Sequence, residues 1–351
     1  MGRILLGTIL FTALSSGCAK NDGLTENATL NQAIDESALN LNNAMEEITA
    51  SQAYSILTVS DDGTSKSASD TDYKVYIPLE LVKGVYDYKP EASFDRWGIS
   101  LIRYFLKSAD NTQMIVNMPL KKVTNPRLLR HYAQEDSLLT NNFSIAVSDY
   151  HNNYNSYHDY DYILSSEISV DNTLAGKLNI KSLVSPTDGT DYASQYAFTD
   201  SYTANYKYVS GDTTKSGFSI KDGDKVLYEE YLLTIKNDTA RFGREHFYTL
   251  TIGNVQIIRN SSAKTVQIAV DGEIQETAKV EIIDKVIDPE ASVCKKRDIQ
   301  ITFEDGTVRT ISGLIGESVD NIKTLFESLH QVYFAAFVVD WIAYDIYYQR
   351  N

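Results

Sequence analysis

Residues 248–274 read YTLTIGNVQIIRNSSAKTVQIAVDGEI. Runs rich in Val, Ile, Thr and Tyr alternate with short polar breaks. The first break is Gly253-Asn254, and the last is Asp271-Gly272. Pairs of this kind supply the positive backbone angles that two-residue hairpin turns demand. The β-branched runs on either side suit a pleated, half-buried surface. The stretch therefore predicts three antiparallel strands in succession.

The same grammar extends outward. Asp-Gly or Gly-Asp pairs recur at Asp188-Gly189, Gly211-Asp212, Asp222-Gly223 and Asp305-Gly306, each between β-rich runs. Residues 225–235, 273–283, 299–303 and 308–311 read as further strands. Upstream, residues 73–77, 99–106 and 112–118 carry weaker strand patterns, and Pro126 opens a short helical candidate. So many close-spaced strands imply an antiparallel meander.

Two segments break this pattern. Leu30, Ile34, Ala38, Leu41, Met45 and Ile48 recur at spacings of three and four, which predicts an amphipathic helix. Residues 320–348 lack Gly and Pro, and their last part, VYFAAFVVDWIAYDIYY at 332–348, is apolar nearly all round. Such a helix calls for burial on every side. Asp340 and Asp345 argue against a membrane span. The expected fold class is α+β, mainly β: an antiparallel β-meander or half-barrel packed around a C-terminal helix, with an N-terminal amphipathic helix.

The first 20 residues, MGRILLGTILFTALSSGCAK, carry an address. Arg3 precedes an apolar run from Ile4 to Leu14, then Ser15-Ser16-Gly17 and Cys18. The run is too short for a permanent span and fits a secretory signal. With the cysteine directly after small residues, the segment resembles a bacterial lipoprotein signal. Ser15 stands where that family usually has an apolar residue. The resemblance implies cleavage after residue 17, lipidation of Cys18 and attachment to the outer membrane of a diderm bacterium. Residues 18–29 are polar and aperiodic and read as a tether. Residues 30–351 then form one β-rich globular domain, with a sub-division near 150–185 as the alternative.

The chain has 351 residues and a net charge of -15, which excludes nucleic acid as a partner, since that needs a basic face. The same charge disfavours broad adhesion to anionic lipid, so membrane affinity falls to the anchor. Only Cys18 and Cys294 are present. No disulfide framework supports the fold, and Cys294 reads as a packed thiol.

Tyrosine stands out, with 24 Tyr against 12 Phe and 2 Trp. Residues 149–162, DYHNNYNSYHDYDY, hold five of them. His151, Tyr154, Tyr157, His158 and Asp159 there offer stacking and hydrogen bonding to a ligand such as a sugar. The spacing of His151, His158, Asp159 and Asp161 matches no metal motif, so no metal is expected. The plain reading is a solvated hairpin tip. The second cluster is Asp340, Trp341, Tyr344 and Asp345, paired at helical spacing. Buried carboxylates there need partners, and the simplest is a backbone group or an arginine such as Arg241, Arg244, Arg297 or Arg309. Arg244-Glu245-His246 reads as a strand entrance, and Glu281, Asp284 and Asp288 as a solvated edge.

No G-x-S-x-G, H-E-x-x-H, C-x-x-C, G-x-G-x-x-G or P-loop motif occurs. The expectation is a membrane-anchored envelope lipoprotein acting as a non-enzymatic binding or structural module without cofactor. Its partners would be the membrane, through the anchor, and a glycan, a lipid or an envelope protein. The alternative is a hydrolase of envelope or extracellular polymers using dispersed carboxylates such as Asp340 and Asp345.

Overall fold

Hairpin turns set the architecture, because each lets one strand return beside the last. The computed structural model describes residues 30–57, 74–89, 104–123, 138–240, 242–263, 265–286 and 295–350. The signal segment 1–17, Cys18, the tether 18–29, the helix expected from Pro126, Arg241 and Cys294 lie outside them. The chain divides into two compact units. One holds Ile48–Thr203 and the chain from Lys323 onward; the other holds the residues up to Glu47 and Ala204–Ile322. Strands dominate both, as the sequence predicts.

In the first unit the long strands are β5 (Phe143–Ser156), β6 (Asp159–Val170), β7 (Thr173–Ser185) and β8 (Gly189–Ala197). They pair antiparallel in chain order. The β6–β7 turn is Asp171-Asn172, both at positive φ, the pattern of a type I′ turn. β1 (Val75–Pro78) and β4 (Met114–Met118) share one edge of β5: β4 pairs its first half and β1 its second. β2 (Gly84–Tyr88) lies parallel to β4 and antiparallel to β3 (Phe105–Ala109).

One face of this sheet is covered by α6 (Ser318–Arg350), a single unbroken helix. Its buried residues are Val332, Ala335, Ala336, Val338, Val339, Ile342 and Ala343. Phe337, Trp341 and Tyr344 are only half-buried. The helix thus buries a stripe of small and branched residues rather than every side, and its larger aromatics flank that stripe.

The second unit is also built as a meander. Its strands are β9 (Tyr202–Ser210), which begins at the division, β10 (Thr213–Asp222), β11 (Lys225–Lys236), β12 (Arg244–Ile252), β13 (Val255–Asn260), β14 (Thr265–Val270) and the short β15 (Glu273–Ile274). The three strands expected at 248–274 are β12, β13 and β14 in the predicted order. A separate three-stranded sheet joins β16 (Lys279–Val286), β17 (Lys295–Thr302) and β18 (Val308–Thr310).

The N-terminal helix α1 (Leu30–Ala50) lays Ile34, Ala38, Leu41 and Met45 into the core, each 5% exposed or less. Full burial of each large side chain contributes roughly 1.5–3 kcal/mol. Ile34 and Ala38 line a small apolar void together with Leu250, Ile252 and Val255. Ser37 donates to Asn254 at 3.0 Å, and Arg309 pairs with Asp35. The short helix α5 (Ile311–Ile315) follows β18; Thr310 caps it by accepting from the Gly313 amide at 3.2 Å.

Candidate functional site

A shift in strand phase builds the most unusual part of the first unit. In β5 the residues Phe143, Ile145 and Val147 point to the core. Val147 pairs with Ser166 and Asp149 with Ser165, so Ser148 is an extra residue, a β-bulge. Beyond it the inward set becomes Tyr150, Asn152 and Tyr154. On β6 the inward set includes Tyr160, Tyr162 and Leu164. Asn152 pairs with Tyr162, which pairs with Ser182 on β7, which pairs with Tyr192 on β8. Where a core usually holds Leu and Val, this row is Asn, Tyr, Ser and Tyr.

Helix α6 meets that row with Asp340. Tyr150 Oη donates to Asp340 Oδ1 at 3.0 Å, and Tyr162 Oη to Oδ2 at 3.4 Å. The Tyr150 and Tyr162 rings stand edge to face, their centroids 6.0 Å apart. One helical turn on, Tyr344 Oη reaches Asn152 Oδ1 at 3.4 Å. Nearer the start of the helix, the Tyr333 and Ser194 hydroxyls bond at 2.7 Å. Tyr160 and Ser182 bond at 2.6 Å. Buried polar groups are thus joined to one another along the seam, as their desolvation requires.

The electrostatics follow from enclosure. Asp340 is half-buried, and both hydrogen bonds its carboxyl accepts are part-buried. Burial drives that carboxyl up to about 7, against the downward pull of the Tyr150 and Tyr162 hydroxyls. Burial, then the charge on Asp340, push Tyr150 and Tyr162 well above the ordinary phenol range. Burial first, then Asp340, lift Tyr344 to about 12. Among the described residues no arginine or lysine pairs with Asp340. Its partners are tyrosine hydroxyls, not the arginine the sequence suggested. Of those arginines, Arg309 pairs with Asp35, and Arg297 lies 4.0 Å from Asp284.

The two clusters singled out in the sequence do meet: Asp340 and Tyr344 of the second contact Tyr150, Tyr162 and Asn152 rather than the His151, Tyr157, His158 and Asp159 named in the first. Tyr150, Tyr160, Tyr162 and Asn152 face α6. His151 lies on the opposite face of the sheet, its Nε2 3.0 Å from Asp161 Oδ2. Tyr154 pairs with Tyr160 and lies near Tyr344. Only Tyr157 and His158 form the hairpin turn; the rest of 149–162 is strand. Their rings stand edge to face at 5.1 Å, and Tyr157 is 73% exposed. Asp159 opens β6 opposite Ser156. Trp341 packs on Phe337, ring centroids 4.0 Å apart. Asp345 follows Asp340 by five residues, about 140° around a helix. Ser182, Tyr192, Ser194 and Tyr333 gave no sequence signal of their own. The alternation Tyr150-Asn152-Tyr154 against Tyr160-Tyr162 was the available clue.

Among the described residues no three His, Cys, Asp or Glu side chains gather as metal ligands, and no helix is long and apolar enough to cross a membrane. No family model, curated protein or solved structure matches this chain. What the arrangement can do is therefore read from its own chemistry. A carboxyl poised near neutrality can move a proton. Here it has two neutral donors within reach and no second carboxylate beside it on the helix.

Proposed function

We propose that this protein is an envelope lipoprotein, fastened through Cys18 to the outer membrane of a diderm bacterium, whose body is a non-catalytic binding or structural module. The supporting observation is the engagement of Asp340. Its carboxyl, raised by burial to about 7, is occupied by Tyr150 and Tyr162 in the seam between helix and sheet. Such a group holds secondary structure together rather than meeting a substrate. Glycoside hydrolysis usually takes two carboxylates flanking one bond, and Asp345 is turned well around the helix from Asp340. Ligand contact on this reading falls to exposed groups, with Tyr157 and His158 at the β5–β6 turn offering ring faces to a glycan, lipid or envelope protein.

The anchor is tested by mass spectrometry of the N-terminal peptide of protein purified from membranes in detergent. The expected result is a chain beginning at an acylated Cys18, with Cys18→Ser moving to the aqueous fraction. An unmodified, detergent-independent amino end ends the lipoprotein reading. The body is tested with envelope glycans: binding weakened by Tyr157→Ala and no turnover are expected. Turnover abolished by Asp340→Asn in a folded protein would replace the binding module with a hydrolase.

A further inference from the structure

Among the polar contacts described in the seam between α6 and the sheet of the first unit, those of Asp340 titrate. Facing Asp340 are Tyr150 from β5, Tyr160 and Tyr162 from β6, and Tyr344 from its own helix; Tyr192 of β8 stands against Tyr162. None of these is cationic. Among the described residues the partners of a carboxylate at this place are neutral hydroxyls, whereas a protonated carboxyl leaves no charge to compensate and still accepts from both. The neighbouring Tyr344–Asn152 contact is as long as that of Tyr162, at 3.4 Å, and the shorter Tyr333–Ser194 contact, at 2.7 Å, lies nearer the start of the helix.

We infer that the C-terminal half of α6 is a pH-operated clasp: protonated Asp340 closes it onto β5 and β6, and ionised Asp340 loosens it. This inference does not rest on the proposed function. In the closed clasp the carboxyl keeps its proton up to about pH 7; freed to water it returns to its ordinary value of 3.8. Between those limits the closed form binds more protons, so acid tightens the clasp. The opening equilibrium rises by up to tenfold per pH unit across that window and levels off above about pH 7.

The test is amide hydrogen exchange of the peptide spanning 333–348 in the full chain, from about pH 5 to about pH 8, with intrinsic chemical exchange divided out. Protection of this peptide falls up to tenfold per unit toward pH 7 and then flattens. Asp340→Asn removes the pH dependence. Tyr150→Phe, which deletes the donor nearest the carboxylate, moves the break to higher pH. A merely structural tyrosine would lower protection without moving the break. Protection independent of pH in the unmodified protein, or an unchanged slope in Asp340→Asn, overturns the clasp. If Asp340→Asn does not fold, an unmoved break in Tyr150→Phe overturns it.

Discussion

The ring of Tyr196 on β8 crosses the backbone of Gly176 on β7 so closely that a Cβ there would lie 2.9 Å from the tyrosine hydroxyl. The Ala197 carbonyl, at 2.8 Å, blocks the same space. Gly176 has no positive φ, so it is required by contact and not by conformation. Tyr196 is buried at 1% exposure. Gly176→Ala is expected to cost about 1–3 kcal/mol by overpacking, read as a lower urea midpoint with unchanged slope. An unchanged midpoint would mean that the ring swings aside freely.

Under α1 the β12–β13 turn carries a different glycine constraint. Gly253 has φ +59°, and a Cβ there would meet the Ser37 hydroxyl at 2.5 Å. Its neighbour Asn254 accepts from Ser37 and donates to Asp271 at 3.0 Å, tying helix, turn and the β14–β15 hairpin together. Gly253→Ala is expected to cost at least ~1–2 kcal/mol from backbone strain alone. Asn254→Ala should cost roughly 1–2 kcal/mol, and a double-mutant cycle with Ser37→Ala should show coupling between the two residues.

Asp298 is a buried carboxylate with a structural task. It accepts from the Ile299 amide at 2.8 Å, the Ser312 amide at 3.2 Å and the Ser312 hydroxyl, fixing the start of α5 to β17. Asp298→Ala leaves those donors unpaired and should destabilise by about 2–3 kcal/mol. Ser312→Ala, which removes only the hydroxyl, should cost less. Equal losses from the two would contradict this account.

Global stability should also report Asp340. Its carboxyl is raised from 3.8 to about 7 in the fold, so the native state binds the extra proton between those values. Stability contributed by this group is present below about pH 4 and is lost as pH rises toward 7, on the order of a few kcal/mol in all. Asp340→Asn should therefore flatten the acid-side stability profile. A wild-type profile parallel to that of the variant would rule this out.

The alkaline side tests the tyrosines. Burial raises Tyr150, Tyr162, Tyr196, Tyr228 and Tyr248 above the ordinary phenol value of 10.0. Ultraviolet titration should show these five ionising only as the fold is lost. The native state holds those phenolic protons longer, so stability falls as pH climbs past about 10. A single reversible class covering all tyrosines would contradict their burial.

The amino-acid sequence by itself determined many of the hairpin strands and both long helices, because these depend on residues near in the chain; the single strand expected at 273–283 is instead β15 and β16, which lie in different sheets. Alternation in β12, β13 and β14, the Asp271-Gly272 turn and the three-four spacing of Ile34, Ala38, Leu41 and Met45 are all local signals. Two local readings misjudged extent: 149–162 is strand except for Tyr157 and His158, and α6 buries a stripe rather than its whole surface. Only the tertiary structure decided which tyrosines matter and what Asp340 touches. A single extra residue at Ser148 turns Tyr150 inward and leaves His151 on the opposite face, and no local pattern announces that bulge. The meeting of Tyr150 with Asp340 spans 190 positions of chain. Hydroxyl and carboxyl are brought together by packing, which local spacing does not encode, and their burial then shifts their charge.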